Sequence, residues 1–423
     1  MASPGLLESP LALAALRIAV PLVILASPEL YAARGLAREP AFLAFPAEGL
    51  GWLAALPLEP AVFDVAVYAA ITSAATAVLG FWSRTSMAVL TISAGLAFSL
   101  SQMRGAVLHD MHLLWLTALL AVSRCGDAWS LDTWGLPRPA PALAYGVPAT
   151  IARLLLGVVY LFPGLHKLAD SGLGWISDEN IRGHLYGKWF QHQALPSFRL
   201  DHWPTLALLG AAFVIAFELS FIVLVSFRRT RWLAALGGVL FHAATQICFF
   251  ISFTSLLACY VVLLPWDGIV ARLKPNARTV SASPQVPWAA LGVGSVLLLV
   301  NGVQGLRGQT QGWPFACYPT FAHVQPLRAV DLSLELVTAD GQVRTFDHRS
   351  RPRSQAEWGR VYALLGANGR PSNPLLLRRF ADESLPPTAG LHRLWRAEFD
   401  TTPEAWGRAP LRRKLLMEWD NAP

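Results

Sequence analysis

Charged residues are scarce in this sequence. They make up 14% of its 423 residues, whereas hydrophobic residues make up 54%, and a soluble globular domain carries about 25% charged residues. A soluble chain of this length needs charge to cover its surface, but a chain in lipid needs apolar side chains outside as well as inside. The composition therefore predicts an integral membrane protein with membrane lipid as its surroundings.

Cysteine is also rare, and basic residues are missing from the extreme N-terminus. The four cysteines are Cys125, Cys248, Cys259 and Cys317. They show neither the close pairing of a zinc knuckle nor the density of a disulfide scaffold, so we interpret them as structural and predict no metal site. Without a basic region or a small-residue cleavage site before the first apolar run, no removable signal peptide is expected.

The charges that are present are unevenly distributed. Residues 306–423 carry a dense mixture of both signs, whereas residues 1–305 contain long uncharged runs. This pattern predicts a transmembrane domain over 1–305 and a small α+β domain over 306–423. The net charge of +7 is compatible with nucleic-acid binding. However, the arginines before residue 305 lie in short loops between apolar segments, as loop charges of membrane proteins do, so no nucleic-acid partner is expected.

The apolar segments are of membrane-spanning length. A bilayer takes about 20 helical residues, and windows of that length predict an all-α bundle of about nine transmembrane helices. The windows are near residues 11–33, 61–82, 86–104, 107–124, 147–168, 204–226, 231–249, 250–267 and 287–305. The seventh and eighth are joined almost without a loop, so they form either a tight hairpin or a partly re-entrant pair.

Basic loops give an expected orientation, because Lys and Arg are enriched on the cytoplasmic side. Arg228, Arg229 and Arg231 lie between the sixth and seventh windows, and the loop before the ninth is basic as well. We therefore expect a multi-pass protein of the inner cell membrane, with a cytoplasmic N-terminus and an extracytoplasmic C-terminal domain. Some basic residues oppose this orientation, namely Arg34, Arg38, Arg104, Arg182 and Lys188.

Two segments of the C-terminal domain have readable patterns. Leu332, Leu334 and Leu336 alternate with polar residues before Asp340 and Gly341, which predicts a strand followed by a hairpin turn. The segment 411–419 is interpreted as a short amphipathic helix.

Ionisable side chains inside an apolar window are costly unless they are paired or solvated, so each marks a candidate site. For Arg17 and Arg153 we favour side chains that extend to the headgroups. His109 and His112 are spaced to share one helix face, with Asp110 available to orient an imidazole. Without further ligands at a recognisable spacing, this pair does not predict a metal site.

Two other windows carry ionisable groups. His242 and Gln246 are one turn apart, and Glu218 on the preceding window is a candidate partner for His242; packing between helices is the alternative role for these groups. Lys167, next to His166, ends the fifth window. An amine at the lipid boundary is partly desolvated, which disfavours its charged form and makes it a better base. The alternative is a lysine that extends to the outer surface.

Several motifs resemble one family. The run from Tyr160 to Trp175, with Gly164, His166 and Lys167, is similar to the vitamin K-dependent γ-carboxylase signature. His109 followed by Trp129-Ser130-Leu131-Asp132, and later Phe241-His242, resemble further segments of that family in the same order. Leu16-Arg17-Ile18 suits the opening helix of the wider group, the horizontally transferred transmembrane (HTTM) domain. The resemblance covers roughly residues 10–270, and the segment 313–319 is similar to one that follows the last span in bacterial members.

The resemblance implies an enzyme that couples oxidation of a reduced vitamin K or another quinol to carboxylation of glutamate in an exported peptide or protein. Oxygen and carbon dioxide are the co-substrates. In such an enzyme Lys167 is the base, and His109 and His242 orient or protonate intermediates. The cofactor-binding candidates that accompany them are His112, His166, Trp175, Glu218 and Gln246.

The sequence departs from the family at two points. His166 replaces the first of the family's paired lysines, and the C-terminal domain is much shorter than the region that grips the propeptide in animal carboxylases. Two other hypotheses therefore stay open: a non-enzymatic HTTM protein whose cavity holds a lipid or small molecule, and a quinone-linked redox protein without carboxylation.

Overall fold

The chain forms a helical membrane region followed by a smaller region that contains a β-sheet. A computed structural model describes residues 6–40, 49–55, 59–104, 109–273, 279–281, 285–308, 312–315, 321–350, 374–385 and 390–421. The helices of the membrane region are α1 Leu11–Ala26, α2 Pro28–Leu36, α3 Gly51–Ala54, α4 Pro60–Leu79, α5 Ser83–Met103, α6 Met111–Ala121, α7 Leu143–Ser171, α8 Asp178–His192, α9 Pro204–Ser226, α10 Arg231–Phe249, α11 Thr254–Cys259, α12 Trp266–Leu273 and α13 Trp288–Arg307.

The helical membrane class is confirmed, but the count of nine spans is not. Within the described residues, six helices are long and apolar enough to cross a membrane, and up to eight spans result if each bent pair is one span. One pair, α1 with α2, bends by 44°, and the pair that spans Thr254–Leu263 and Trp266–Leu273 bends by 71°. The fourth predicted window contributes only α6, whose 11 residues are too few for a bilayer of about 30 Å.

Arg17 is buried in the core instead of extending to the headgroups, so this prediction was wrong. Its side chain has 0% of its surface exposed. The guanidinium has more donors than one acceptor can satisfy, and it donates to backbone carbonyls at the end of α4 and in the loop after α6. These acceptors are Ala77, Val78, Cys125, Ala128 and Trp129. Arg17 therefore joins three segments of the bundle.

Arg153 is also buried, and the prediction of a headgroup contact was wrong here too. Its two terminal nitrogens donate to the carboxylate of Glu8 at 2.8 and 2.5 Å, and its Nε donates to the carbonyl of Val262 at 3.0 Å. Arg231, which begins α10, donates to the same carboxylate at 2.8 Å. A single acidic residue before α1 thus pairs with two arginines, one from α7 and one from α10.

Two short strands of the membrane region, β1 Arg138–Pro139 and β2 Thr279–Val280, pair in parallel. The elements of the C-terminal region are β3 Arg328–Val337, β4 Val343–Phe346, α14 Pro374–Ser384, β5 Gly390–Asp400 and β6 Arg412–Asn421. Its four strands form an antiparallel sheet in the order β4–β3–β5–β6. Leu332 and Leu334 pack with Leu376 and Phe380 of α14. The α+β class and the hairpin are confirmed, since Val337 pairs with Val343.

The segment 411–419 forms most of strand β6, so the predicted helix was wrong. Over so few positions, its polar and apolar residues fit the helical period and the strand period equally well. Pairing with β5 makes the segment a strand. The predicted domain boundary near 305 lies in the last turn of α13. Cys125, Cys248 and Cys259 are buried free thiols, and Cys317 lies outside the described residues.

The sheet region contacts the membrane region at α8. The rings of Phe190 and Phe399 lie 5.5 Å apart. The segment that leads to β3 also runs along α8: the amide of Gln325 donates to the side-chain oxygen of Asn180 at 2.8 Å. A Cβ atom at Gly183 would be 1.9 Å from the carbonyl oxygen of Gln325, so glycine permits this approach.

Candidate functional site

A cavity of about 230 Å³ lies inside the helical region. Its wall is formed by α6, α7, α8, α9, α10, α11 and α13, and most of the lining side chains are apolar or aromatic. The predicted catalytic residues Lys167, His109 and His242 all line it. Three groups that sequence places far apart are thus brought to one cavity, although their roles stay predictions.

Lys167 forms a buried ion pair. Its Nζ donates to both carboxylate oxygens of Glu218 at 2.9 Å, and the two side chains are only 3% and 5% exposed. The prediction that Glu218 partners His242 was therefore wrong, as was the alternative of a lysine that extends to the surface. Gly164 permits the close contact, because a Cβ atom there would be 2.9 Å from the Cβ of Glu218.

Trp175 lies beside this ion pair, at the end of the 3₁₀ turn that follows α7. The ammonium of Lys167 is 5.5 Å from the centre of the indole ring, within range of a cation–π contact. The indole nitrogen donates to the carbonyl of Phe321 at 2.6 Å. Trp175 is thus held in the cavity wall. A ligand in the cavity would contact it, and its cofactor-binding role stays a prediction.

His184 is a cavity residue that the sequence reasoning missed. It lies on α8, with its ring 6.3 Å from Trp175 and 5.0 Å from Phe321. Burial, followed by the positive charge of Lys167, lowers its pKa to about 4, so the ring is neutral at physiological pH. Because α8 is too short and too polar to span a membrane, a search limited to apolar windows had no reason to select its histidine.

His242 belongs to a hydrogen-bonded chain with two tyrosines. Its Nε2 lies 2.5 Å from the hydroxyl of Tyr160, which is in turn hydrogen-bonded to the hydroxyl of Tyr260. Gly238 leaves room for this ring, since a Cβ atom there would be 2.1 Å from the Tyr260 hydroxyl. Neither tyrosine was predicted as a site residue. A hydroxyl within the otherwise apolar stretch 154–165 was the available signal at Tyr160.

His109 and His242 both lie near the ring of Phe253. The ring centre of Phe253 is 6.2 Å from that of His109 and 5.2 Å from that of His242. His112 Nδ1 is 3.3 Å from the backbone carbonyl of His109. Asp110 accepts a hydrogen bond from Ser255 at 2.6 Å. The described residues contain no group of three or more His, Cys, Asp or Glu side chains placed to hold a metal ion.

Two predicted cofactor ligands do not line the cavity. His166 Nε2 is 2.8 Å from the carbonyl of Gly305 on α13, because adjacent helical residues point about 100° apart and Lys167 occupies the cavity side. Gln246 is exposed. His242 lies at one edge of the α10 face that lines the cavity, so the extra turn of about 40° in a four-residue step places Gln246 just outside that face.

A family model for the HTTM domain matches residues 9–266. The chain belongs to the HTTM domain family. The matched region includes Lys167, Glu218, His109 and His242, so the HTTM protein holds most of its cavity wall within the family's own domain. No curated protein and no solved structure matches the chain.

Proposed function

We propose that this HTTM protein is an integral membrane enzyme of the γ-carboxylase type, which couples oxidation of a quinol to carboxylation of glutamate in an exported peptide. The observation that carries the proposal is the buried amine of Lys167, which faces the same apolar cavity as His109 and His242. The motifs from Tyr160 to Trp175 and around His109 and His242 support it by resemblance.

The cavity has the features that a quinol requires. Aromatic and aliphatic side chains can pack on a flat apolar ring, and a few polar groups can bind its two oxygens. Within the described residues, three lining imidazole nitrogens have no hydrogen-bond partner: His112 Nε2, His184 Nε2 and His242 Nδ1. Buried polar atoms without partners are uncommon, so these nitrogens are available to ligand oxygens.

The bound quinol, oxidised by oxygen to the epoxide and water, supplies a base strong enough to break a γ-C–H bond of glutamate before the new C–C bond forms to carbon dioxide. Lys167, which is paired with Glu218 as an ammonium group, would first pass its proton to that carboxylate, and the neutral amine would then take the proton from the quinol hydroxyl. Glu218 is the group to which Lys167 can pass a proton across 2.9 Å, and that transfer removes two charges from an apolar wall. The ion pair is thus a reservoir for the proton that a catalytic base must release.

His109 and His242 would hold the ligand in position. Their ring centres lie 6.2 and 5.2 Å from that of Phe253, so a planar ligand that stacks near this ring can meet both imidazoles. A ligand packed against the aromatic wall would exclude water, which would protect a strongly basic site from protonation by solvent. Membrane lipid would carry the quinol, and an extracytoplasmic C-terminal domain would face the exported substrate.

The experiment supplies vitamin K hydroquinone, labelled bicarbonate and a Glu-containing peptide to the full chain in lipid nanodiscs. We expect label in the peptide with wild type and at least a hundredfold less with Lys167→Ala. Lys414→Ala is the control, because Lys414 is exposed on β6, and it should keep wild-type activity.

The other outcomes identify the competing functions. Quinol oxidation without incorporation of label would support a quinone-linked redox protein. If neither oxidation nor incorporation occurs, the enzymatic proposal fails and a non-catalytic cavity for a lipid or small molecule is the better explanation.

A further inference from the structure

We propose that Tyr160, which accepts a hydrogen bond from Tyr260, fixes His242 in the tautomer that carries its proton on Nδ1, so that His242 donates a hydrogen bond to an acceptor oxygen of the cavity ligand. The tautomer follows from contacts within the chain. Only the identity of the ligand as a quinone rests on the proposed function.

The three groups form a chain that is buried at every position. His242 Nε2 contacts the Tyr160 hydroxyl at 2.5 Å, and that hydroxyl contacts the hydroxyl of Tyr260. Tyr160, Tyr260 and His242 are each at most 5% exposed. Solvent therefore does not compete for these hydrogen bonds, and the protons must be arranged among the three groups.

Either direction of the chain pairs two of its three donors and leaves the third without a partner among the described residues. If Tyr260 donates to Tyr160, then Tyr160 donates to Nε2, and the imidazole proton is left on Nδ1. In the reverse direction the last donor is the Tyr260 hydroxyl, which has no further hydrogen-bond partner within the part of the chain that the structure describes. A buried donor without an acceptor is unfavourable. Among the described residues, His242 lines the cavity and Tyr260 does not, so only the direction from Tyr260 to His242 places the remaining donor where a cavity ligand can accept from it.

Nδ1 is then a hydrogen-bond donor in the cavity wall. It has no partner within the described residues, and His242 lines the cavity. A neutral N–H group prefers a carbonyl oxygen or an anionic oxygen to another donor. The site at His242 therefore selects a ligand with an acceptor oxygen at one edge, such as a quinone carbonyl or a deprotonated quinol.

Tyr160 acts through His242, so it is a positioning residue, and the tautomer of His242 is the readout that separates this role from a structural one. The full chain labelled with ¹⁵N-histidine is placed in nanodiscs, and the His242 signals are assigned by their loss in His242→Asn. We expect a pyrrole-type Nδ1 and a pyridine-type Nε2 in wild type. A protonated Nε2 in wild type would overturn the proposal without reference to any enzymatic activity.

Two phenylalanine variants separate the tyrosines. Tyr160→Phe removes the donor to Nε2, so the ring should revert to a tautomer mixture, and radiolabelled menadione should bind on the order of tenfold more weakly. Tyr260→Phe is the matched control: Tyr160 can still donate to Nε2, so the Nδ1 proton should remain. An unchanged tautomer in Tyr160→Phe contradicts the proposal. A correct tautomer with no menadione binding would instead refute the quinone of the proposed function.

Discussion

Lys167 on α7 and Glu218 on α9 meet in a two-pronged contact, in which one ammonium group donates to both carboxylate oxygens at 2.9 Å. Both groups are almost fully buried. An ion pair removed from water is weak evidence for net stability, but removal of one partner leaves a buried charge without compensation. The stability of α7 packed on α9 therefore depends on both partners of this ion pair.

We expect the single variants Lys167→Met and Glu218→Leu each to destabilise the protein by about 3 kcal/mol, because each leaves the other charge unpaired. The double variant should lose much less stability than the sum of the two single losses, since it leaves no unpaired charge and places two apolar side chains in the site. Thermal unfolding of the purified protein in detergent measures the coupling. Additive losses would contradict a direct interaction between the two residues.

Arg17 should not tolerate lysine. Its guanidinium reaches acceptors from two separate segments at once, whereas an ammonium group has three donors around a single point. We expect Arg17→Lys to cost about 2 kcal/mol through unsatisfied carbonyls. Arg84→Lys is the control, because Arg84 is exposed and should change the unfolding temperature little. Equal effects of both substitutions would exclude the buried network as the cause.

The cluster around Glu8 predicts a pH dependence of stability. Burial raises the pKa of Glu8, but Arg153 and Arg231 together outweigh it and hold the pKa below its usual value of 4.5. Since the folded state has the lower pKa, this carboxylate stabilises the fold fully above pH 4.5 and loses that contribution as the pH falls through the folded pKa.

Glu8→Gln should therefore lower the unfolding temperature at neutral pH, and the difference from wild type should shrink as the pH falls below 4.5. Unfolding scans at neutral and acidic pH measure this. A difference that is constant across the range would mean that Glu8 acts through its shape and not through its charge.

The sequence predicted the parts of this fold that depend on local composition. The length of the apolar windows located α4, α5, α7, α9, α10 and α13. In lipid a segment must satisfy its backbone hydrogen bonds internally, so a long apolar run forms a helix. The leucines of β3 marked a strand for the same local reason. Segment 411–419 failed because its state depends on pairing with β5, which no local pattern records.

The residues of the site could be predicted from the sequence, but the contacts between them could not. Lys167, His109 and His242 could be selected because ionisable groups are rare in apolar helices. Which group each one contacts depends on helix packing: Glu218 is 51 residues from Lys167 along the chain, and Arg17 binds carbonyls from other segments. Tyr160 carries no charge and α8 is polar, so Tyr160 and His184 gave no comparable signal.

The close packing of α7 on α9 leads to a final prediction, at Gly164. A Cβ atom at this position would be 2.9 Å from the Cβ of Glu218 and 3.2 Å from Leu219. The first of these neighbours is fixed to the backbone of α9, so Gly164→Ala must push the two helices apart. We expect a loss of about 1–3 kcal/mol together with a longer Lys167–Glu218 contact and slower quinol oxidation.

Gly292→Ala on α13 is the matched comparison, because a Cβ atom there meets nothing within 4 Å. In that open position alanine favours the helix by about 0.5–1 kcal/mol relative to glycine, so the unfolding temperature should rise slightly. The two alanine variants should thus shift stability in opposite directions. If Gly164→Ala matches Gly292→Ala in unfolding temperature and in quinol oxidation, the packing of α7 on α9 does not set the geometry of the ion pair.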